Sequence, residues 1–479
     1  MNDIPTPVTP LEPLVSLGRR YWTVLKMASI AILGLLLLIP LVMLDAVLRE
    51  RLQRRDAAVR DVTSGWGSEQ VVVGPVLVVP YRYAQQTWRD QLVNGRAERV
   101  ETSETLTRRA FFLPSLFKAE GQLDPSRLHR GIYGAVVYRG TVRLSGVFAR
   151  PSFEEWNVDP QQVLWDQAEI ALAITDLRGA QKALAVTIGE TAIPLEPGSR
   201  LDGLASGVHA RVKGLWPQAD RLPFDIAVTL NGSRSLRFAP VGVNNDVRIA
   251  SAWPDPSFQG AFLPLERSVR ADGFTARWQV SYYGRSYPQQ WTDTNAVTPA
   301  LFNASLFGVD LVSGVDSYRF VERSIKYGVL VIALIFTAFF LFEVLAASRI
   351  HPFQYTLVGM ALCLFYLALL ALSEVLSFGA AYWIGAAVAT LMISLYSVKP
   401  LRSRGRAGVA AAGLTATYGF LFVVLRLQDY SLLVGTAGLV LALAIVMYVT
   451  RNIDWYARDN AQGSAGREIV EAPSGSERR

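Results

Sequence analysis

Between Tyr327 and Thr450 the chain carries five apolar segments in series: Tyr327–Ala347, Leu357–Leu376, Ala380–Tyr396, Gly408–Leu425 and Ser431–Tyr448. Each is close to the roughly 20 residues that cross a bilayer core of about 30 Å as a helix. Soluble helices keep a polar face, so five such segments in a row point to lipid. Hydrocarbon leaves backbone groups no partner but their own segment, which makes helix the expected conformation. A sixth charge-free run, Met27–Leu44, lies ahead of them. It follows a polar lead with Arg19 and Arg20 and ends in Asp45 and the arginine-rich Arg49–Arg55, with no small-residue cleavage site. Those flanks mark an uncleaved anchor rather than a signal peptide. The expected fold class is a polytopic α-helical membrane protein of six transmembrane helices, with a large, mainly antiparallel, sandwich-like β domain between the first and second. The expected divisions are an N-terminal segment over 1–23, an anchor over 24–48, the β-rich domain over 49–326, a five-helix bundle over 327–450 and a partly disordered tail over 451–479.

Basic residues in the short loops set an expected orientation. With the N-terminus inside, the inner side receives Arg19, Arg20, Lys26, Arg349, Lys399, Arg402, Arg404, Arg406, Arg451 and Arg458, and the short outer loops hold only Arg426. That asymmetry is the positive-inside pattern, and it puts the β domain outside. Arg49, Arg51, Arg54 and Arg55 depart from it, at the head of a long segment where charge counts for less. The net charge of +7 is thus spread along the spans, with no concentrated basic patch, and nucleic acid is not an expected partner. Mean hydropathy of +0.25 with only 18% charged residues agrees with a membrane class.

The long segment after the anchor has a different grammar. Val71–Tyr83 is β-branched and interrupted by Gly74-Pro75, which predicts strand, turn, strand. Gly131–Phe148 alternates as a half-buried strand pair would, and shorter runs follow at Ala168–Ile174, Ala183–Ile188, Val208–Val212, Phe224–Leu230, Val247–Ala250 and Phe274–Tyr283. Asn231-Gly232, between two such runs, predicts a two-residue hairpin. Helix is expected over Gln53–Thr63, continuing the anchor, and over Thr298–Leu306. The single cysteine, Cys363, falls inside a span, so disulfides cannot hold the β domain.

Signatures of catalysis and of cofactor binding do not occur: the chain has no H-E-x-x-H, G-x-S-x-G, P-loop or G-x-G-x-x-G string, and only three histidines. Neither an enzyme nor a cofactor or metal site is therefore expected. Ser115-Leu116-Phe117-Lys118 matches S-x-x-K, but the S-D-N-like and K-T-G-like elements that accompany it in penicillin-recognising enzymes do not occur. His209 has no partner motif and is read as a strand residue rather than a general base; with Trp253 and Phe258 it is a candidate surface residue of the periplasmic domain. Trp253 and Phe258, in the proline-rich Trp253–Pro264, are either an exposed binding edge or a rigid corner with both rings in the core. Turn chemistry favours the corner.

Several strings resemble the CreD family of bacterial inner-membrane proteins associated with cell-envelope integrity. They are Leu38-Ile39-Pro40, Glu50-Arg51, Gly74-Pro75, Gly131-Ile132-Tyr133, Asp176-Leu177-Arg178-Gly179, Gly207-Val208-His209 and Ser251–Phe258 with Phe262-Leu263-Pro264. In the bundle they continue with Lys326-Tyr327, Phe342-Glu343, His351-Pro352, Gln354-Tyr355, Ser373-Glu374 and Thr450–Tyr456. The resemblance covers nearly the whole chain. It implies six spans, a periplasmic domain and a link to envelope stress and β-lactam response, and it carries no catalytic activity. Expected partners are the lipid bilayer and, through the β domain, cell-wall material or other envelope proteins.

Two intramembrane carboxylates stand out, because such groups are costly and turn toward a partner, a bundle interior or water. Glu343 lies near the inner end of the second span, where Arg349 and His351 are the expected partners. Glu374 lies near the outer end of the third, where Lys326, Arg323 or Arg426 are expected. Interfacial ion pairing is the simpler reading, and a proton or solute pathway the alternative.

Overall fold

The computed structural model describes residues 22–93, 96–180, 183–213, 220–312, 317–345, 350–399, 403–427 and 430–451. They form two compact units, Met1–Arg54 with Asp316–Arg479, and Arg55–Val315. The described α-helices are α1 (Trp22–Leu36), α2 (Leu38–Trp66), α3 (Pro299–Ala304), α4 (Ser317–Lys326), α5 (Gly328–Leu345), α6 (Pro352–Ser373), α7 (Phe378–Ser397), α8 (Arg404–Arg426) and α9 (Ser431–Thr450).

Among the described residues, six helical stretches are long and apolar enough to cross a membrane: α1 with α2, then α5 to α9. The joint at Leu37 keeps its backbone bond to the Leu33 carbonyl at 3.0 Å, and Pro40 sits in the first turn of α2, where a missing amide costs little. Leu37, Leu41, Leu44 and Leu48 recur at helical spacing and are buried against the bundle, while Leu35, Ile39, Val42 and Met43 on the other faces are exposed. The interior is aromatic: Phe365 lies 5.4 Å from Tyr382 and 4.6 Å from Tyr418, centroid to centroid. Cys363 is buried there, a small apolar side chain. Sequence reasoning did not anticipate α4, whose Val321 and Ile325 are buried and whose Phe320 stacks on Phe378 at 4.7 Å.

The second unit holds a nine-stranded and an eight-stranded sheet around one shared apolar core. Most pairings are antiparallel. The exceptions are Gln70–Val93 with Ser235–Phe238, and Leu116–Arg130 with Asn244–Ser251. Strands of the eight-stranded sheet alternate buried and exposed, as Leu116–Arg130 and Arg221–Ser233 do, which fits a sheet with one face on the core. In the nine-stranded sheet, Ile170–Ile174 and Val76–Val79 are buried on both faces. An aromatic loop residue supplies part of the second cover: Phe153 packs edge-on against Tyr81 at 5.9 Å and Phe112 at 5.3 Å, while Trp291 and Phe111, paired on adjacent strands of the sheet itself, stack at 5.3 Å.

Three local expectations are corrected. Gly74-Pro75 makes no turn: Gln70–Val93 is one strand, and the pair sits in a bulge where register shifts between Val73 and Val76. A bulge is where a strand tolerates a residue with no amide to donate. Gly131–Phe148 is not a strand pair; Tyr133–Ala149 is a single strand paired with Leu116–Arg130. Asn231-Gly232 is not a hairpin, since Arg221–Ser233 runs through both, opposite Arg139 and Tyr138. The chain turns instead at Arg234, with φ of 59°, and crosses into the other sheet. Gly232 is there for space: a Cβ would stand 2.4 Å from the Tyr138 ring.

Candidate functional site

Glu343 lies near the end of α5, a helix otherwise without charge, and is only 7% exposed. A carboxylate so placed must have its charge and lone pairs met. One oxygen, Oε1, takes the Lys26 ammonium from α1 and the Ile350 amide at 3.2 Å. The other accepts from the Tyr355 hydroxyl of α6 at 3.0 Å. Lys26 also donates to the Ile350 carbonyl at 2.9 Å. The cluster thus joins three successive apolar helices around one neutralised charge.

Of the two expected partners of Glu343, His351 is engaged elsewhere. His351 is the N-cap of α6: its Nδ1 accepts from the Phe353 amide at 3.2 Å, while its own amide donates to Gln354 Oε1 at 3.2 Å. That capping box starts α6 at Pro352, five residues ahead of the expected Leu357. Arg349 lies outside the described residues.

At the other end of α6, Glu374 is the C-cap residue, and its carboxylate meets Arg51 Nε of α2 at 3.5 Å. The expected partners are engaged elsewhere or not in contact: Lys326 pairs with Glu322 at 2.8 Å, and Arg426 lies over the Phe422 ring at 5.0 Å. Both carboxylates therefore go to the first apolar helix. Lys26 and Arg51 are twenty-five residues apart, a rise of roughly 37 Å along a helix. That distance falls between a bilayer's hydrocarbon thickness and its full width. One signal in the sequence points to Lys26 alone: it stands at the head of the charge-free run Met27–Leu44, at the inner depth expected for Glu343.

In the β unit, Trp253 and His209 are buried, which overturns a surface role for either. Trp253 donates its indole N–H to the Val312 carbonyl at 2.9 Å, and Phe258 packs edge-on against Phe274 and Trp278, both at 5.8 Å. Trp253 thus packs a corner after the strand Asn244–Ser251, whereas Phe258 lies on the strand Pro256–Gly260, paired with Phe307–Leu311. His209 Nδ1 meets the Gly198 carbonyl at 2.7 Å. Sequence reasoning missed a polar knot at the start of the unit. Asp176 accepts from the Ser68 amide at 3.1 Å and from Arg178, whose guanidinium also reaches the Ser64 carbonyl in the last turn of α2. Arg178 and these amides hold the Asp176 carboxyl well below its usual value. Trp66 donates to the Tyr138 carbonyl at 3.2 Å beside them.

Two comparisons bear on the chain as a whole. The family model described as "Inner membrane protein CreD" matches residues 22–456. The chain is also similar to the inner membrane protein CreD of Escherichia coli (strain K12), at 34% identity over 451 residues, covering 93% of this chain and 96% of that protein. Six apolar helices, the β unit inserted after the first, and a match of this extent lead to one conclusion: the chain belongs to the CreD family of inner membrane proteins.

Proposed function

We propose that this protein supports cell-envelope integrity, including tolerance of envelope stress and of β-lactams, by binding rather than by catalysis. In this reading the termini are cytoplasmic, the β unit is periplasmic, and the unit acts on cell-wall material or on other envelope proteins. The observation that carries it is the fate of the two intramembrane carboxylates. Both are spent on the helix that leads into the β unit, Glu343 on Lys26 and Glu374 on Arg51. Glu343 has both oxygens occupied, which favours an anchoring role over a pathway for protons or solutes.

The test separates anchoring from flux. Removing one member of a buried pair leaves an uncompensated charge, at about 3–5 kcal/mol, whereas replacing both with apolar residues of similar volume is close to neutral. Lys26→Met or Glu343→Leu alone should lower the amount of protein in the membrane and, with it, detergent and β-lactam tolerance. The double variant should restore both. A double variant present at the normal level but without tolerance would overturn the anchoring reading and favour a transporter or flux-coupled sensor.

A further inference from the structure

The eight-stranded sheet bears an open groove of about 850 Å³ on the face away from the core. A charged row crosses it at one register, with Glu266, Arg277, Arg248, Glu120 and Arg143 on five neighbouring strands. A second row, two residues along the strands, is uncharged: Ser268, Thr275, Ala250, Gln122 and Thr141. Arg248 and Arg277 stand directly opposite one another, an arrangement of like charges that costs stability. Asp246 relieves it unevenly. It holds Arg277 through two bonds, of 2.8 and 2.9 Å, but approaches Arg248 only to 3.8 Å. Arg143 is bound to Asp225 through Nε alone, at 2.8 Å, and its side chain is 64% exposed. With Arg267, four arginines line the groove; Asp246 and Glu266 hold Arg277 and Asp225 holds Arg143, leaving Arg248 the least closely held of these three.

We infer that this groove binds an acidic peptide segment, extended across the strands, with carboxylates at its first and fifth positions. The inference rests on the reading that the β unit acts by binding. From Arg277 to Arg143 is three strand spacings, roughly 14 Å, which matches the rise over four residues of an extended chain. The planar guanidinium forks suit carboxylates, and Glu120, between Arg248 and Arg143, repels a compact dianion but accommodates a neutral or basic third side chain. The hydroxyl and amide row, roughly 7 Å along the strands, can donate to and accept from the peptide backbone.

Full-length protein in detergent would be titrated by fluorescence anisotropy against a labelled Glu-Thr-Ser-Thr-Glu peptide, its Gln-Thr-Ser-Thr-Gln counterpart, and tripolyphosphate as competitor. The acidic peptide should bind saturably and more weakly as salt rises, and the glutamine peptide should not bind. Arg248→Gln should weaken binding about tenfold. Glu120→Gln should tighten it a few-fold, a gain that a damaged fold cannot produce. Equal binding of both peptides, unchanged affinity in both variants, or tighter binding of tripolyphosphate than of the peptide would each overturn the inference. The Lys26 and Glu343 variants alter no groove residue, so the tolerance assay judges the binding reading separately.

Discussion

Asp176 and Asp246 show how single carboxylates set the pH response of the β unit. Arg178 holds the pKa of Asp176 down, chiefly through its side-chain hydrogen bonds, and Arg277 does the same for Asp246. A carboxyl depressed on folding contributes stability that is complete above its unfolded value, near 3.8 here, and is lost as pH falls toward the folded value. The β unit should therefore hold its thermal midpoint from neutral pH to about pH 5 and lose it progressively below about pH 4. Asp176→Asn should lower the midpoint at neutral pH but flatten that acid decline, read by tryptophan fluorescence of the full-length protein. An unchanged acid slope would mean that Asp176 does not carry it. At this scale the sequence was legible by cost. Glu343 and Glu374 stood out because charge in lipid is expensive. Their partners did not, because Lys26 lies 317 residues from Glu343 and only the fold brings the two together.

Elements were legible where one periodicity ruled and illegible where a residue served packing. All six apolar stretches form helices, α6 beginning five residues ahead of the expected Leu357. The shorter runs, such as Ala168–Ile174 and Phe274–Tyr283, appear as strands Glu169–Ile174 and Gly273–Ser281. Asn231-Gly232, the strongest local turn signal, lies inside a strand because Gly232 makes room for Tyr138. Gly232→Ala should accordingly cost about 1–3 kcal/mol through overpacking. Arg234→Gly, at the residue that takes the positive φ, should be neutral or stabilising by up to about 1 kcal/mol. Denaturation midpoints of the two variants should move in opposite directions, or only the first should move. A hairpin at Asn231-Gly232 would give no such contrast. The helix α4 was illegible because its ten residues are too short for a span and bury only one stripe.

For the whole molecule, the order of one apolar helix, a β-rich insertion and five further helices was legible, because lipid and water impose different patterns on the chain. The double cover of the nine-stranded sheet was not, since Phe153, which supplies part of it, lies in a loop without regular periodicity. One consequence of the clamp at Lys26 and Arg51 concerns the bilayer itself. A lone apolar helix adapts to a thicker or thinner membrane by tilting or sliding. This one is fixed to its neighbours at both ends, roughly 37 Å apart, so mismatch falls on the lipid or on the ion pairs. In vesicles of graded acyl-chain length, thermal stability should peak sharply near a hydrocarbon thickness of about 30 Å. The paired replacement of Lys26 and Glu343 should broaden that peak, leaving stability less dependent on bilayer thickness.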